Sequence, residues 1–177
     1  MGVYEEIISK SNLWRVDILI FVTLGTQDKS FTRLLDAIEN KIKTGKITDE
    51  VIVQAGTTKY KSKYMKIYKL LSIKKFEGYI NSCDLLITHG GVGSILGGLK
   101  LHKKVIAAAR LKKYDEHESD HQIEIVDEFS KLNYILKLDN FDEIDKVILK
   151  ARNKKFKEYK SNNEKFVKLI SDIIEEF

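Results

Sequence analysis

Residues 84–94 read DLLITHGGVGS, and this stretch decides the fold. Leu85, Leu86 and Ile87 form an apolar run that ends at Thr88 and His89. Gly90, Gly91 and Gly93 follow, and from Ser94 a new apolar pattern opens, with Val92, Ile95, Leu96 and Leu99 at helical spacing. Apolar run, glycine cluster and 3.6-residue periodicity, in that order, read as buried strand, tight turn and helix start. Glycine lets a backbone come close to a ligand. A helix N-terminus offers unpaired N–H groups at the positive end of its dipole. The stretch therefore predicts an anion site, most often one for phosphate.

Outward from that turn the chain alternates. Residues 18–24, ILIFVTL, are a β-branched apolar run of the kind buried on both faces of a parallel sheet, closed by Gly25 and Thr26. Phe31, Leu34, Leu35, Ile38 and Ile42 recur at helical spacing, and Gly45 marks the stop. Residues 50–54 give a second strand. Residues 61–71 are helical in tendency, residues 73–76 read as a short strand, and a turn at Gly78 leads to a brief helix through Cys83. Residues 105–109 and 134–138 read as strands, 122–132 and 141–151 as helices, and 110–120 as a polar loop.

This alternation predicts an α/β fold: a Rossmann-like parallel sheet with helices on both faces. Ligands of such sheets bind beyond the carboxyl ends of the strands. Three loops are expected there, residues 25–29, 89–94 and 110–122. The expected organisation is an N-terminal extension over residues 1–17, the Rossmann-like domain over 18–151, and a C-terminal amphipathic helix over 152–177. On that helix Phe156, Tyr159, Phe166, Ile170, Ile173 and Phe177 fall roughly on one stripe, which must cover this domain or a partner.

The 177 residues suffice for one domain with a buried core. No apolar run reaches membrane-spanning length and the first residues lack a secretory signal pattern, so a cytoplasmic location is expected. The single cysteine, Cys83, excludes an internal disulfide and reads as a small core residue. The 31 basic and 26 acidic residues leave +5, spread over helix faces rather than focused. That spread argues against nucleic-acid binding and leaves weak attraction to an anionic membrane surface open.

The candidate residues each carry a plain structural alternative. Ser94 reads either as a helix N-cap or as a phosphate contact. His89, at a strand end, reads as an oriented structural histidine before it reads as a catalyst. A dinucleotide fingerprint would use Gly91 and Gly93, but Leu96 stands at its third glycine and Arg110, not an acid, follows the next strand. A nicotinamide-linked oxidoreductase is thereby disfavoured. In residues 110–122, RLKKYDEHESDHQ, Asp120, His121 and Gln122 suit hydrogen bonding to hydroxyls. The same loop serves equally as a solvated connection with Asp120 capping the next helix. His117 and His121 lack a third ligand, so no metal is expected.

Four motifs now stand in order: FVTLGT at 21–26, VIVQAGTTKY at 51–60, INSCDLLITHGGVGSIL at 80–96 and HKKVIAAARLKKYDEHESDHQ at 102–122. Together they resemble the C-terminal, donor-binding domain of glycosyltransferase family 28, over about residues 18–150. The likeness is to small one-domain members of two-part enzymes, and the 110–122 loop brings it nearest to bacterial capsule and exopolysaccharide members. The resemblance implies one half of a GT-B enzyme, inverting and dependent on a UDP-sugar. It implies a lipid-linked saccharide acceptor held by a separate membrane-anchored subunit, which recruits this chain to the inner face of the cell membrane. Neither cofactor nor metal is implied.

By motif position, Gly90, Gly91, Gly93 and Ser94 would hold the pyrophosphate of the donor, with His89 beside them and Gly25 and Thr26 facing it. Asp120, His121 and Gln122 would contact the sugar, Arg110 and His117 a phosphate or the sugar, and Phe76 would flank the uracil. The base that activates the acceptor is expected on the partner, so none is named here. Two departures stand out. Gly97 replaces the acid that many relatives use to bind the ribose, and AAAR at 107–110 lacks the usual proline. The first motivates an alternative function, a non-catalytic nucleotide-sugar-binding module.

Overall fold

Alternation of side chains along the first strand sets the layers. In the computed structural model, which describes residues 18–160 together with Lys168, Ser171 and Asp172, β1 (Leu19–Thr23) sends Ile20 and Val22 to one apolar cluster and Phe21 to the other. β2 (Glu50–Gln54), β4 (Leu85–Thr88) and β5 (Lys104–Ala107) do the same, so their apolar runs are buried on both faces. With β3 (Lys66–Tyr68) and β6 (Leu136–Lys137) they form one parallel sheet in the order β3-β2-β1-β4-β5-β6.

Parallel strands need crossover connections, and these place helices on both faces of the sheet. On one face α1 (Thr32–Lys43) buries Leu34, Leu35 and Ile38, beside Ile144, Ile148 and Ala151 of α5 (Ile144–Asn153). On the other face lie α2 (Ile73–Ser82), α3 (Val92–Lys100) and α4 (His121–Lys131), contributing Ile80, Ile95, Leu99, Val126 and Phe129. The expected Rossmann-like class is therefore the observed one. Cys83 is buried and its thiol is pushed up to about 11 by burial, as a core residue should be.

The order reverses between β1 and β4. β1 leads to β2 on one side, while β4 leads to β5 on the other. The register Thr23↔Gln54 and Thr23↔Thr88 brings the carboxyl ends of three strands level. The crevice at such a reversal is where α/β sheets bind ligands.

Two segments differ from expectation. Residues 61–71 contain no helix; they hold the edge strand β3, whose residues are exposed or half-buried. Residues 73–76 are the first turn of α2 rather than a strand, with Ser72 Oγ accepting from Lys75 N at 3.4 Å, and Gly78 lies inside that helix. A third difference concerns the end of the chain. Helix α5 stops at Asn153, and residues 154–160 are neither helix nor strand. Phe156 and Tyr159 consequently pack on opposite apolar clusters instead of sharing a stripe, and Tyr159 meets Tyr134 edge-on at 5.7 Å. The expectations for residues 1–17 and for Phe166, Ile170, Ile173 and Phe177 lie outside the described residues. Among the described residues no helix is long and apolar enough to cross a membrane.

Candidate functional site

Eight buried side chains among the described residues are polar or charged: Thr23, Gln54, Thr58, Thr88, His89, Arg110, Glu116 and Gln122. All belong to the carboxyl ends of strands or to the loops and the helix start that follow them. Burying polar groups is costly unless each is hydrogen-bonded. Their concentration at one edge marks the place where the fold accepts that cost.

His89 is the centre. Its N–H donates to Thr23 O at 3.2 Å, and its Nδ1 lies 3.4 Å from both Thr23 O and Thr88 Oγ1. The ring is clasped between two backbones. A Cβ placed on Gly25 would stand 2.6 Å from Nε2, and one on Gly91 would stand 2.5 Å from it. Only glycine fits at either position. Burial, and then the Arg110 charge, push the His89 pKa down to about 4, against a weaker upward pull from the Thr23 carbonyl. The imidazole is neutral at neutral pH.

A helix starts directly after the glycine turn, as the sequence order led one to expect. Gly91 is the N-cap of α3 and no side chain caps that end, so the first-turn amides face the edge. Gly90, at φ +86°, packs against Val126 of α4, and Gly93 is exposed with open space where a side chain would be. Ser94 stands three residues beyond the cap, which removes its reading as the N-cap. Thr26 is exposed in the loop after β1.

Arg110 takes a different part from the expected ligand contact. It is 1% exposed. Its Nη1 donates to Lys29 O at 2.6 Å and to Glu116 O at 3.1 Å, and its Nη2 to Leu24 O at 2.5 Å. Its own N–H donates to Gln122 Oε1 at 3.1 Å. Burial lowers its pKa, opposed by the Glu116 and Asp28 charges. The guanidinium thus ties the loop after β1 to the loop after β5. Lys29 joins by ion pairs with Asp115 and with Glu118, the latter at 3.0 Å. His117 joins from the far loop, with Nε2 3.0 Å from Gln27 Nε2 and Nδ1 within hydrogen-bond reach of Ser119.

Glu116 anchors the same loop from below. Its carboxylate accepts from Arg33 Nε at 2.9 Å and Arg33 Nη2 at 2.7 Å, and its Oε2 also accepts from Leu111 N at 3.0 Å. Arg33 stacks over the Phe141 ring at 4.0 Å. Asp120 Oδ1 accepts from Lys112 N at 2.9 Å, and no side chain caps α4. His121 and Gln122 open that helix, and Gln122 is buried beside Gly90. Phe76 lies apart from this cluster, half-buried against the core with its ring edge-on to Phe21 at 5.4 Å.

The structure therefore brings Gly25, His89, Gly90, Gly91, Arg110 and Gln122 together, with Thr26, Gly93, Ser94, His117, Asp120 and His121 on the same edge. Arg33, Glu116, Gln27 and Thr58, whose Oγ1 accepts from Phe31 N at 3.0 Å, were not legible as site residues. Arg33 pairs with Glu116 across 83 positions, Gln27 with His117 across 90 and Thr58 with Phe31 across 27, and no local pattern announces those pairs. A cleft of about 600 Å³ opens beside the edge, lined by Asp28, Gly56, Thr57, Thr58, Lys59 and Lys69 among others.

The sequence profile of the glycosyltransferase family 28 C-terminal domain matches residues 19–177. The chain is 35% identical over 81 residues to the UDP-N-acetylglucosamine transferase subunit ALG13 of Candida albicans (strain SC5314 / ATCC MYA-2876), covering 46% of this chain and 26% of that protein. It thus spans about a quarter of that relative's length. Its fold is similar to the NMR structure of ALG13, with a TM-score of 0.56, 21% identity, and 86% of this chain and 94% of that one covered. It is similar also to part of the glycotransferase of kitacinnamycin, at TM-score 0.58 and 14% identity, with 78% of this chain and 35% of that one covered. The sheet is thus that of one half of a GT-B glycosyltransferase.

Proposed function

Because this chain belongs to the glycosyltransferase family 28 C-terminal domain family, we propose that it is the donor-binding subunit of an inverting transferase that uses a UDP-sugar. One observation carries this: the uncapped start of α3 lies beside a buried neutral histidine and a clamped polar loop at the β1/β4 reversal. The amides of Gly91, Val92 and Gly93, the Ser94 side chain and the α3 dipole would receive the pyrophosphate. Gly25, Thr26 and His89 would close it from the other side. Asp120, His121 and Gln122 would meet the sugar, and Arg110, Glu116 and His117 would hold their loop in place. Phe76, half-buried and seated against Phe21, would flank the uracil.

In the transfer, the acceptor oxygen forms a bond to the anomeric carbon as the bond from that carbon to the phosphate oxygen breaks. UDP leaves with the electron pair, and the hydroxyl proton goes to a base on the partner. Donors aimed at the leaving phosphate stabilise charge where it develops. The edge is open to solvent at Thr26 and Gly93, as a half-site awaiting a second domain would be. The relative's name favours UDP-N-acetylglucosamine as the donor. The acceptor is a lipid-linked saccharide held by a membrane-anchored subunit, which recruits this chain to the inner face of the membrane. A role in capsule or exopolysaccharide assembly rests on the 110–122 loop alone. The relatives named above support the two-part transferase and not that setting.

Isothermal titration with UDP tests the binding step, and absence of heat with every uridine nucleotide would refute it. Activity is expected only on co-expression with the membrane partner. Turnover by the purified chain alone would contradict the split site.

A further inference from the structure

One run of the chain carries basic residues with no acid among them. Between Val51 and Phe76 the chain carries seven lysines and no acidic residue. Lys66 pairs with Glu50. The other six, Lys59, Lys61, Lys63, Lys69, Lys74 and Lys75, have no ion pair among the described residues.

The connection from β3 to α2 lies within this stretch, and it is fixed. Leu71 is buried, its N–H donates to Gln54 Oε1 at 3.0 Å, and Ser72 caps α2. Leu70 and Ile73, on either side of these anchors, are held outward at 67% and 79% exposure. No other large apolar side chain among the described residues is as exposed. Lys69, Lys74 and Lys75 flank them, and Lys59 joins through the shared cleft, where Gly56 N donates to Lys69 O at 2.9 Å. Lys74 and Lys75 sit in the first turn of α2, which has no acid. Cations at the positive end of a helix dipole are unfavourable in water, and a nearby anionic surface relieves that cost.

We propose that this edge, with Leu70 and Ile73 at its tip and Lys59, Lys69, Lys74 and Lys75 around them, docks on an anionic lipid bilayer. Two isolated aliphatic tips suit insertion at the headgroup boundary, where lysine stems lie along apolar groups and their charges stay in water. A protein interface fits less well, because lysine is depleted from the buried centre of such interfaces. The inference goes beyond the proposed function and does not require the donor site to be occupied. Should both hold, the bilayer lies beside the cleft that Asp28, from the loop after β1, shares with Lys59 and Lys69.

The test is co-flotation of the full chain with vesicles of equal parts phosphatidylcholine and phosphatidylglycerol, against phosphatidylcholine alone. Binding is expected only to the anionic vesicles, falling with added salt. The variant Leu70→Ser/Ile73→Ser/Lys74→Gln/Lys75→Gln changes only exposed side chains and should melt like the native chain while binding at least about tenfold more weakly. A control, Lys154→Gln/Lys155→Gln, should bind as the native chain does. Retained binding by the fourfold variant, equal binding to neutral vesicles, or equal loss in the control would each overturn the proposal. So would absence of vesicle binding by the native chain, which would leave an acidic protein as the fitting partner. UDP titration of the fourfold variant separates a failure here from a failure of the donor site.

Discussion

Replacing Arg110 by methionine removes the guanidinium that joins the loops after β1 and β5 while filling much of its volume. Three carbonyls, those of Leu24, Lys29 and Glu116, lose their donor. Each stranded buried acceptor costs about 1–3 kcal/mol, or roughly 3–9 kcal/mol together. Part of this is returned, because the cation no longer has to be desolvated. Breaking a buried charged arrangement typically nets about 3–5 kcal/mol. For a chain of this size that corresponds to a fall in Tm of about 6–20 °C. Urea unfolding followed by circular dichroism measures it, and UDP titration in buffer, where the variant is still folded, measures the effect on the site. Arg110→Lys, with one ammonium in place of a fork, should fall between native and methionine. If Arg110→Met loses less than about 1 kcal/mol yet no longer binds UDP, the guanidinium acts on the ligand and the clamp is the wrong account.

Adjacent glycines in α3 should respond with opposite sign. Gly97→Ala meets open space and should stabilise by up to about 1 kcal/mol, whereas Gly98→Ala drives a Cβ to 2.6 Å from Leu86 Cδ2 and 2.9 Å from Val105 Cγ2 and should cost about 1–3 kcal/mol in urea unfolding. Gly91→Ala pushes on the His89 ring, and calorimetry should show loss of UDP binding with a melting temperature that falls far less than that of Arg110→Met. The native state resists protonation of His89, so stability should decline as pH falls from about 6.5 to about 4 and level off below. The depression from 6.5 to about 4 is worth about 3 kcal/mol, and His89→Gln should flatten that part of the profile in denaturant titrations across pH. Gln122→Ala removes the acceptor for Arg110 N and the proposed sugar contact, and it should abolish transfer by the co-expressed complex; unchanged transfer would favour a non-catalytic module.

The fold was legible where burial is complete on both faces. The apolar runs at 18–24, 50–54, 85–87 and 105–109 contain or overlap β1, β2, β4 and β5, because a doubly covered strand must be continuously apolar. It was not legible at the sheet edge. Lys66–Tyr68 is a three-residue strand with one covered side, so its sequence KIY has no room to show a period. The neighbouring helix was hidden by Gly78, which signals a turn in sequence but occupies an exposed helical position with open space around it. At the end of the chain, Phe156 and Tyr159 have helical spacing, yet each is drawn to a different core, and Lys157 N is held by Asn133 O at 3.0 Å. Tertiary contacts override a periodicity of that length.

The site was legible in its glycines and polar loop but not in its reasons. Sequence order places Gly25, His89, Gly91 and Gln122 at one edge once the sheet is assumed. That Gly25 makes room for a histidine ring held by Thr23 from 66 positions away, and that Arg110 reaches Leu24 across 86, depends on contacts far apart in the sequence. Such contacts exist only in the folded chain.

The central claim is that a uridine diphosphate binds at the β1/β4 reversal. Amide chemical shifts of the isotope-labelled full chain, followed as UDP is added, test it most directly. The account predicts saturable shifts at Gly25, Thr26 and the amides from His89 to Ser94, with smaller ones at Arg110 and Gln122. Shifts absent at the glycine turn, or confined to a distant surface such as the basic cleft around Lys103 and Lys154, would contradict it.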